Sequence, residues 1–433
     1  MQRILAKDAP KYAGKQIKFC GWIHQIRKLG AIAFIVLRDR SGLLQGVLED
    51  QKEWTKFKNL QDETVVSIVG KVVKEKRAPL GIELRIEKVE IISPVQKELP
   101  VAINKKEIKA NLDTLLKNRT TILRSPKIRE IFKLQSEILK NFRNFLTEND
   151  FIEIQCPEIV SQGAEGGTEL FKVDYFGKKA YLTQSPQFYK QIMVGVFERV
   201  FCTNHVFRAE LHNTSRHLNE YASLDFEVGF IDDFEDIMNL ENELLSSIML
   251  SLKKNCQNVF DLYESKIPAV PKKIPRLPLS EAQAILEKNY KQKCLGAPDL
   301  DPEHEKLICE YASKNLKSEF IFITKYPVKK RPAYTMPDKK NPQVTDSFDL
   351  LFRGLEITTG GQRIHDYNML VDNMKKFGLN TADFGFYLDI FKFGMPPHGG
   401  LAIGLERLTA RLLNLPNVKE ATLFPRDLTR LTP

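Results

Sequence analysis

The chain has 433 residues, enough for two or three domains with a full core, and at 42% hydrophobic and 28% charged its composition is that of an ordinary globular protein. No apolar run reaches the roughly 18 residues of a membrane span, no leader pattern opens the chain, and six scattered cysteines without a C-x-x-C pair argue against zinc and for reduced thiols in a cytoplasm. The formal charge of +10 is uneven, with 19 Lys and Arg against 12 Asp and Glu in residues 1–100, which suits a polyanionic partner.

In chain order, strand patterns fall at 17–26, 32–37, 43–48, 65–73 and 82–92, with a helical pattern at 51–60. Five strands with a helix between the third and fourth fit an OB-fold barrel, whose open face takes single-stranded nucleic acid. Such a face stacks a splayed base on a ring and reads its edge with amides, which makes Phe34 and Gln45, on adjacent strands, the candidates. Pro94 and Pro100 then open a Lys-rich linker. It leads to a helical pattern at 131–145 and a strand pattern ending at Pro157.

Three glycines between Ser161 and Phe171 make a loop able to move over a ligand. Residues 181–191 read as a strand turning into a helix at Pro186, a good first helical residue. The stretch 207–227 alternates on both sides of a polar loop, predicting two antiparallel strands. Its Arg208, Arg216 and His217 can meet phosphate, since a guanidinium fork matches two phosphate oxygens at once, while Glu210 and Glu220 can meet amines or a metal. Further helices are predicted at 237–252, 280–290 and 303–313, with a strand at 320–326. Near the end, Gly399-Gly400-Leu-Ala-Ile-Gly404-Leu405-Glu406-Arg407 describes a strand running into a helix, its backbone bare where a ligand can approach.

The F-R-x-E at Phe207–Glu210, the glycine-rich run Gly399–Arg407 that ends G-L-E-R and the helix–strand–Pro157 segment resemble, in order, motifs 2, 3 and 1 of class II aminoacyl-tRNA synthetases. The loop at 161–171 and Gln187-x-x-Lys190 resemble aspartyl-tRNA synthetases of the archaeal/eukaryotic type, and the barrel resembles the anticodon domain shared by the aspartyl, asparaginyl and lysyl enzymes. The resemblance implies an α+β chain: a five-stranded OB-fold at 1–97, a hinge at 98–127 and a catalytic domain at 128–433 on an antiparallel sheet flanked by helices. Residues 232–345 would intervene between motifs 2 and 3. It also implies a homodimer, with Pro157 at its interface.

For the site, the resemblance implies L-aspartate held by Glu165 (α-ammonium), Gln187, Lys190, Arg208, Thr359 and Arg363. It implies ATP held by Arg208, Glu210, Arg216, His217, Leu218, Tyr221, Glu356, Gly404, Leu405, Glu406 and Arg407, and magnesium on Glu356 and Thr359, where a Ser is more usual than Thr359. Arg208, Glu356 and Arg407 are the catalytic candidates. A buried Lys190 wants a carboxylate rather than an amide, so this residue selects aspartate over asparagine. Lys190→Ala is accordingly expected to raise the aspartate requirement steeply while sparing ATP.

Phe34 and Gln45 would handle the central anticodon base. His24 and Pro79 stand where enzymes that charge only their own tRNA carry Trp and Lys, so the resemblance is to the relaxed type that aspartylates both tRNA(Asp) and tRNA(Asn) and needs a downstream amidotransferase. Two other readings stay open: a strictly discriminating enzyme charging tRNA(Asp) alone, and an inactive RNA-binding paralogue.

Overall fold

Alternation of apolar and polar residues builds the first of two units, residues 1–129; the second spans residues 130–433. The structure is a computed structural model and describes residues 1–30, 32–57, 60–105, 107–164 and 169–432. Strands β1 (Gln16–Leu29), β2 (Ile32–Arg38), β3 (Leu43–Leu48), β4 (Val65–Lys74) and β5 (Ile82–Ser93) close a barrel in the order β1-β2-β3-β5-β4, with helix α1 (Gln51–Phe57) between β3 and β4. Each strand turns one side inward, and Ile17, Phe19, Ile35, Leu37, Leu44, Ile68 and Leu84 fill the centre. Burying such side chains stabilises the barrel by roughly 1.5–3 kcal/mol each. Where β4 crosses β5 the backbones come so close that a Cβ at Gly70 would collide with the Arg85 carbonyl. The predicted OB-fold is present, each strand within a few residues of its sequence pattern.

After β5 come two short helices, α2 (Leu112–Lys117), capped by the Asn111 side chain, and α3 (Arg119–Ile122). Helix α4 (Pro126–Glu148) follows, burying Ile131, Leu134, Ile138, Phe142 and Leu146 at helical spacing. The strand expected to end at Pro157 is far shorter. Only β6 (Ile152–Glu153) pairs, because the chain then leaves the sheet edge ahead of a residue that has no N–H to give.

A small three-stranded sheet, β7 (Ile159–Val160), β8 (Lys172–Tyr175) and β9 (Lys178–Leu182), leads to α5 (Gln187–Phe197), where Pro186 stands at the N-cap rather than as the first helical residue. Then come β10 (Arg199–Phe207), β11 (Glu220–Gly229), α6 (Phe234–Asn255), α7 (Gln257–Leu262), β12 (Arg276–Pro278), α8 (Leu279–Tyr290), α9 (Pro302–Asn315) and β13 (Phe320–Thr324). The chain finishes with β14 (Ser347–Phe352), β15 (Leu355–Arg363), α10 (Tyr367–Lys376), α11 (Gly385–Lys392), β16 (His398–Gly404) and α12 (Leu405–Leu412). The large sheet runs β12-β13-β14-β15-β16-β11-β10-β6. Its six inner strands are antiparallel, as expected, but β12 and β6 at the two edges are parallel to their neighbours, so the sheet is mixed. Among the described residues no helix is long and apolar enough to cross a membrane.

Helix α6 covers the sheet beside β15 and β16, and it carries an anomaly. Glu241 is fully buried, and among the described residues only the Thr358 hydroxyl approaches its carboxyl, off hydrogen-bond geometry; burial, against the pull of Thr358, pushes it up from 4.5 to about 8. A folded-state value above the unfolded one means the fold must take up a proton, so a cost appears above pH 4.5 and levels off near pH 8. Glu241→Gln keeps the neutral shape. It is expected to stabilise the protein by about 3 kcal/mol at pH 7 and by almost nothing near pH 4.5, readable as denaturant midpoints at the two pH values.

Candidate active site

The β10–β11 hairpin, with β15 and β16 beside it, forms the floor of a cavity of about 880 Å³. Gln187, Arg208, Arg216, Tyr334, Arg363 and Arg407 are among its walls. A space of this size holds a nucleotide and a small acid together.

One end is cationic. Arg208 leaves the end of β10 with its Nη1 3.6 Å from Glu210 Oε1 and its guanidinium carbon 6.0 Å from the Tyr221 ring centroid. Arg407, in the first turn of α12, donates from Nη1 to the Glu356 carbonyl (3.1 Å) and to its carboxylate (3.2 Å). Burial pushes the half-buried Glu356 carboxyl up, but Arg407, Arg216, Arg331 and Arg208 outweigh it and hold the group below its ordinary value. His217 bonds Thr214 Oγ1 through Nδ1 at 2.6 Å, and burial, then Arg407, lowers its basicity. Glu210, His212 and His217 bring ligand atoms within 4.8 Å of one another. With three guanidiniums so near, that corner suits a polyphosphate better than a cation.

A hard cation finds better donors on the neighbouring strands. Thr359 Oγ1 donates to Glu356 Oε1 at 3.2 Å, and Thr359 is in register with Asp349 of β14. Asp349 is buried and ion-paired with Arg331 at 2.8 Å through Oδ2, while among the described residues its Oδ1 takes no hydrogen bond. An all-oxygen set with one orphaned carboxylate oxygen fits magnesium. The sequence reading missed Asp349. Its signal was an acid in an apolar strand, seven residues before Glu356 across the Arg353-Gly354 turn.

The other end is a buried, balanced network. Lys190 is fully buried and donates to Asp225 Oδ1 (2.7 Å) and the Leu401 carbonyl (3.1 Å), with Glu227 Oε2 at 3.4 Å. Arg363 donates from Nε to Glu227 Oε1 (2.8 Å) and from Nη2 to Gln187 Oε1 (3.3 Å) and the Gly400 carbonyl (2.9 Å). Gln187 Nε2 also reaches Glu227 Oε1, at 3.2 Å. Burial pulls Lys190 down, yet Asp225 and Glu227 raise it overall; burial pushes Glu227 up, yet Arg363 and Lys190 lower it overall. Two cations thus face two carboxylates.

Lys190 alone therefore does not select aspartate over asparagine by its charge. The protein itself supplies the carboxylate partner, so asparagine would not leave the lysine uncompensated. Beneath the network, His398 donates through Nδ1 to the Pro396 carbonyl (2.9 Å) and accepts from Gln191 at Nε2 (2.9 Å). Burial holds this imidazole at about 4, so it stays neutral.

Of the remaining expected residues, Glu165 lies outside the described residues. Leu218, Tyr221 and Gly404 line the cavity. Leu405 is buried in the first turn of α12. Glu406, though also at the wall, accepts the Ala222 N–H with both oxygens at 3.2 Å and so clips α12 to β11; burial pushes it up to about 7.

On the barrel, β2–β3 register sets Val36 opposite Gln45, so Phe34, Val36 and Gln45 share the outer face, half-buried. Gln45 Nε2 donates to Glu83 Oε2 at 3.3 Å. Pro79 is exposed in the β4–β5 turn. His24 is placed differently: a bulge between Ile23 and Gln25 takes it out of the ladder, and it is only 7% exposed. The structure does not bring it onto the face that carries Phe34 and Gln45.

A closed OB barrel joined in one chain to an antiparallel-floored sheet, with arginines at one end of its cavity and a charge-balanced pocket at the other, defines a class II synthetase architecture. Residues 111–428 match the family described as tRNA synthetases class II (D, K and N), and residues 17–92 match the OB-fold nucleic acid binding domain. The chain belongs to that synthetase family. It is 48% identical to the aspartate--tRNA(Asp/Asn) ligase of Deinococcus radiodurans over 438 residues, covering 100% of this chain and 99% of that one. With the aspartate--tRNA(Asp) ligase of Pyrococcus furiosus the identity is 42% over 425 residues, 97% of each chain. Among solved structures, the asparaginyl-tRNA synthetase of Pyrococcus horikoshii complexed with asparaginyl-adenylate superposes with a TM-score of 0.94 at 30% identity, each chain covered fully. The fold is therefore shared across amino-acid specificities.

Proposed function

We propose that this protein activates L-aspartate with ATP and transfers it to the 3′ end of tRNA(Asp) and of tRNA(Asn), working as a homodimer. The observation that carries the reading is one cavity lined by Arg208, Arg216 and Arg407 and also by Gln187 and Arg363, the last two held by the buried Lys190, Asp225 and Glu227 behind them. The names of the full-length relatives support aspartate as the amino acid.

No general base is required. The α-carboxylate oxygen of aspartate attacks the α-phosphorus in line, the bond to the β-phosphate oxygen breaks, and pyrophosphate leaves with that electron pair. Arg208 neutralises charge that develops on the α-phosphate, and Arg216, His217 and Arg407 hold the outer phosphates. Magnesium, bound to Asp349, Glu356 and Thr359, would add neutralising charge there. The tRNA terminal hydroxyl then attacks the aspartyl carbonyl and AMP leaves.

The relaxed tRNA choice draws support from Pro79, exposed where a charged arm would otherwise reach the anticodon, and from the Deinococcus relative's name. Aspartyl-tRNA(Asn) then needs an amidotransferase. The test is aspartate-dependent ATP–pyrophosphate exchange, followed by charging of tRNA(Asp) and tRNA(Asn) transcripts. Absence of exchange refutes the activity; charging of tRNA(Asp) alone refutes the relaxed specificity. Phe34→Ala removes the stacking platform and is expected to lower kcat/KM for tRNA by about 5- to 150-fold while exchange stays unchanged.

A further inference from the structure

Glu305 is on α9, in the segment between β11 and β14, remote in sequence from every site residue named so far. Its side chain is 7% exposed. Both of its oxygens accept from Arg216 Nη2, at 2.7 and 2.9 Å, and its Oε2 also accepts the backbone N–H of Glu356 at 3.0 Å. One carboxylate thus ties the polar loop after β10 to the start of β15, and both partners line the cavity.

The helix that carries it is fixed. Asp301 caps the N-terminus in a capping box with His304, Pro302 stands in the first turn, and Ile308, Cys309 and Ala312 bury the same helix. Burial pushes the Glu305 carboxyl up to about 7, against the pull of Arg216. A second carboxylate beside Glu356 is electrostatically unfavourable unless a cation stays with it, and Arg216 is that cation.

We propose that Glu305 is a positioning residue for nucleotide binding. It holds the Arg216 guanidinium and the Glu356 backbone in place before ATP arrives, so that Arg216 does not lose its rotamer freedom at the moment of binding. The proposal rests on Arg216 being a phosphate contact.

The test uses full-length protein. ATP affinity is measured by calorimetry, and KM for ATP and for aspartate by pyrophosphate exchange, in Glu305→Ala, Glu305→Gln, Arg216→Ala and the Glu305→Ala/Arg216→Ala double variant. Glu305→Ala is expected to weaken ATP by about tenfold with aspartate KM within about twofold, and the near-isosteric Glu305→Gln to lose only about threefold. Because Glu305 acts through Arg216, the double variant should bind ATP no worse than Arg216→Ala alone. Parallel losses for ATP and aspartate, additive losses in the double variant, or unchanged ATP affinity in Glu305→Ala would each overturn the proposal. A wild-type protein that binds ATP but shows no aspartate-dependent exchange refutes the proposed activity instead, and the calorimetric comparison still decides the role of Glu305.

Discussion

Lys190→Met is expected to abolish aspartate-dependent exchange and also to destabilise the fold by about 3–5 kcal/mol, because it takes the cation away from Asp225 in the interior and leaves Arg363 alone to balance two carboxylates. The second effect follows from the 2.7 Å bond of Lys190 to Asp225, which makes the lysine part of the sheet's own charge balance and not only a contact for substrate. The sign of the pH dependence follows from Glu227. In the wild type its folded-state value lies below the usual 4.5, so its contribution is fully present above pH 4.5 and fades as pH falls further. Without Lys190 part of the pull that lowers Glu227 is gone, so the stability gap between variant and wild type should be widest at pH 7–8 and should close toward pH 4. Denaturant midpoints at pH 5 and pH 8 read this directly. A variant as stable as wild type, with only a raised aspartate KM, would mean that the lysine is held for the substrate and that Asp225 is a bystander.

The fold was legible wherever period and burial coincide. The barrel strands alternate cleanly, and the stretch 207–227 announced both its strands and its loop. The site was legible where the chemistry is cationic and exposed to a ligand, as at Arg208, Arg216 and Arg407.

Buried carboxylates were harder. Asp225 and Glu227 sit in the alternating run that was singled out, yet alternation tells which face a residue takes, not that the face is a closed network with Lys190 and Arg363 on other elements. Asp349 is flanked by Phe and Leu and reads as core, and Glu305 reads as one acid among several on a capped helix. Their partners lie 136, 89 and 51 residues away in sequence for the Arg363–Glu227, Arg216–Glu305 and Glu356–Glu305 contacts. Only the sheet order brings them together. The burial of His24 has a local cause: a one-residue bulge resets which side chains of the first barrel strand face out, and no composition signal marks it.

Glu356→Gln should separate chemistry from folding. The Glu356 side chain is 32% exposed, so solvent screens its pairing with the arginines and the change is expected to lower the unfolding temperature only by a few degrees. It deletes the negative charge on which Arg407, Arg216, Arg331 and Arg208 converge, and with it a hard oxygen ligand. The exchange kcat is expected to fall by about 10²–10³, the size of losing one preorganised electrostatic contact to the reacting phosphates. ATP KM should not rise with it but stay unchanged or fall, since four guanidiniums relieved of a carboxylate attract a polyphosphate more strongly. The magnesium concentration needed for half-maximal exchange should rise. Because the arginines keep Glu356 ionised below its ordinary range, the wild-type exchange rate should show no acid limb from this group at pH 6–8, and the variant's relative loss should be flat across that window. An ATP KM that rises sharply with kcat preserved would place Glu356 in ground-state binding alone and remove it from the group that stabilises the reacting phosphates.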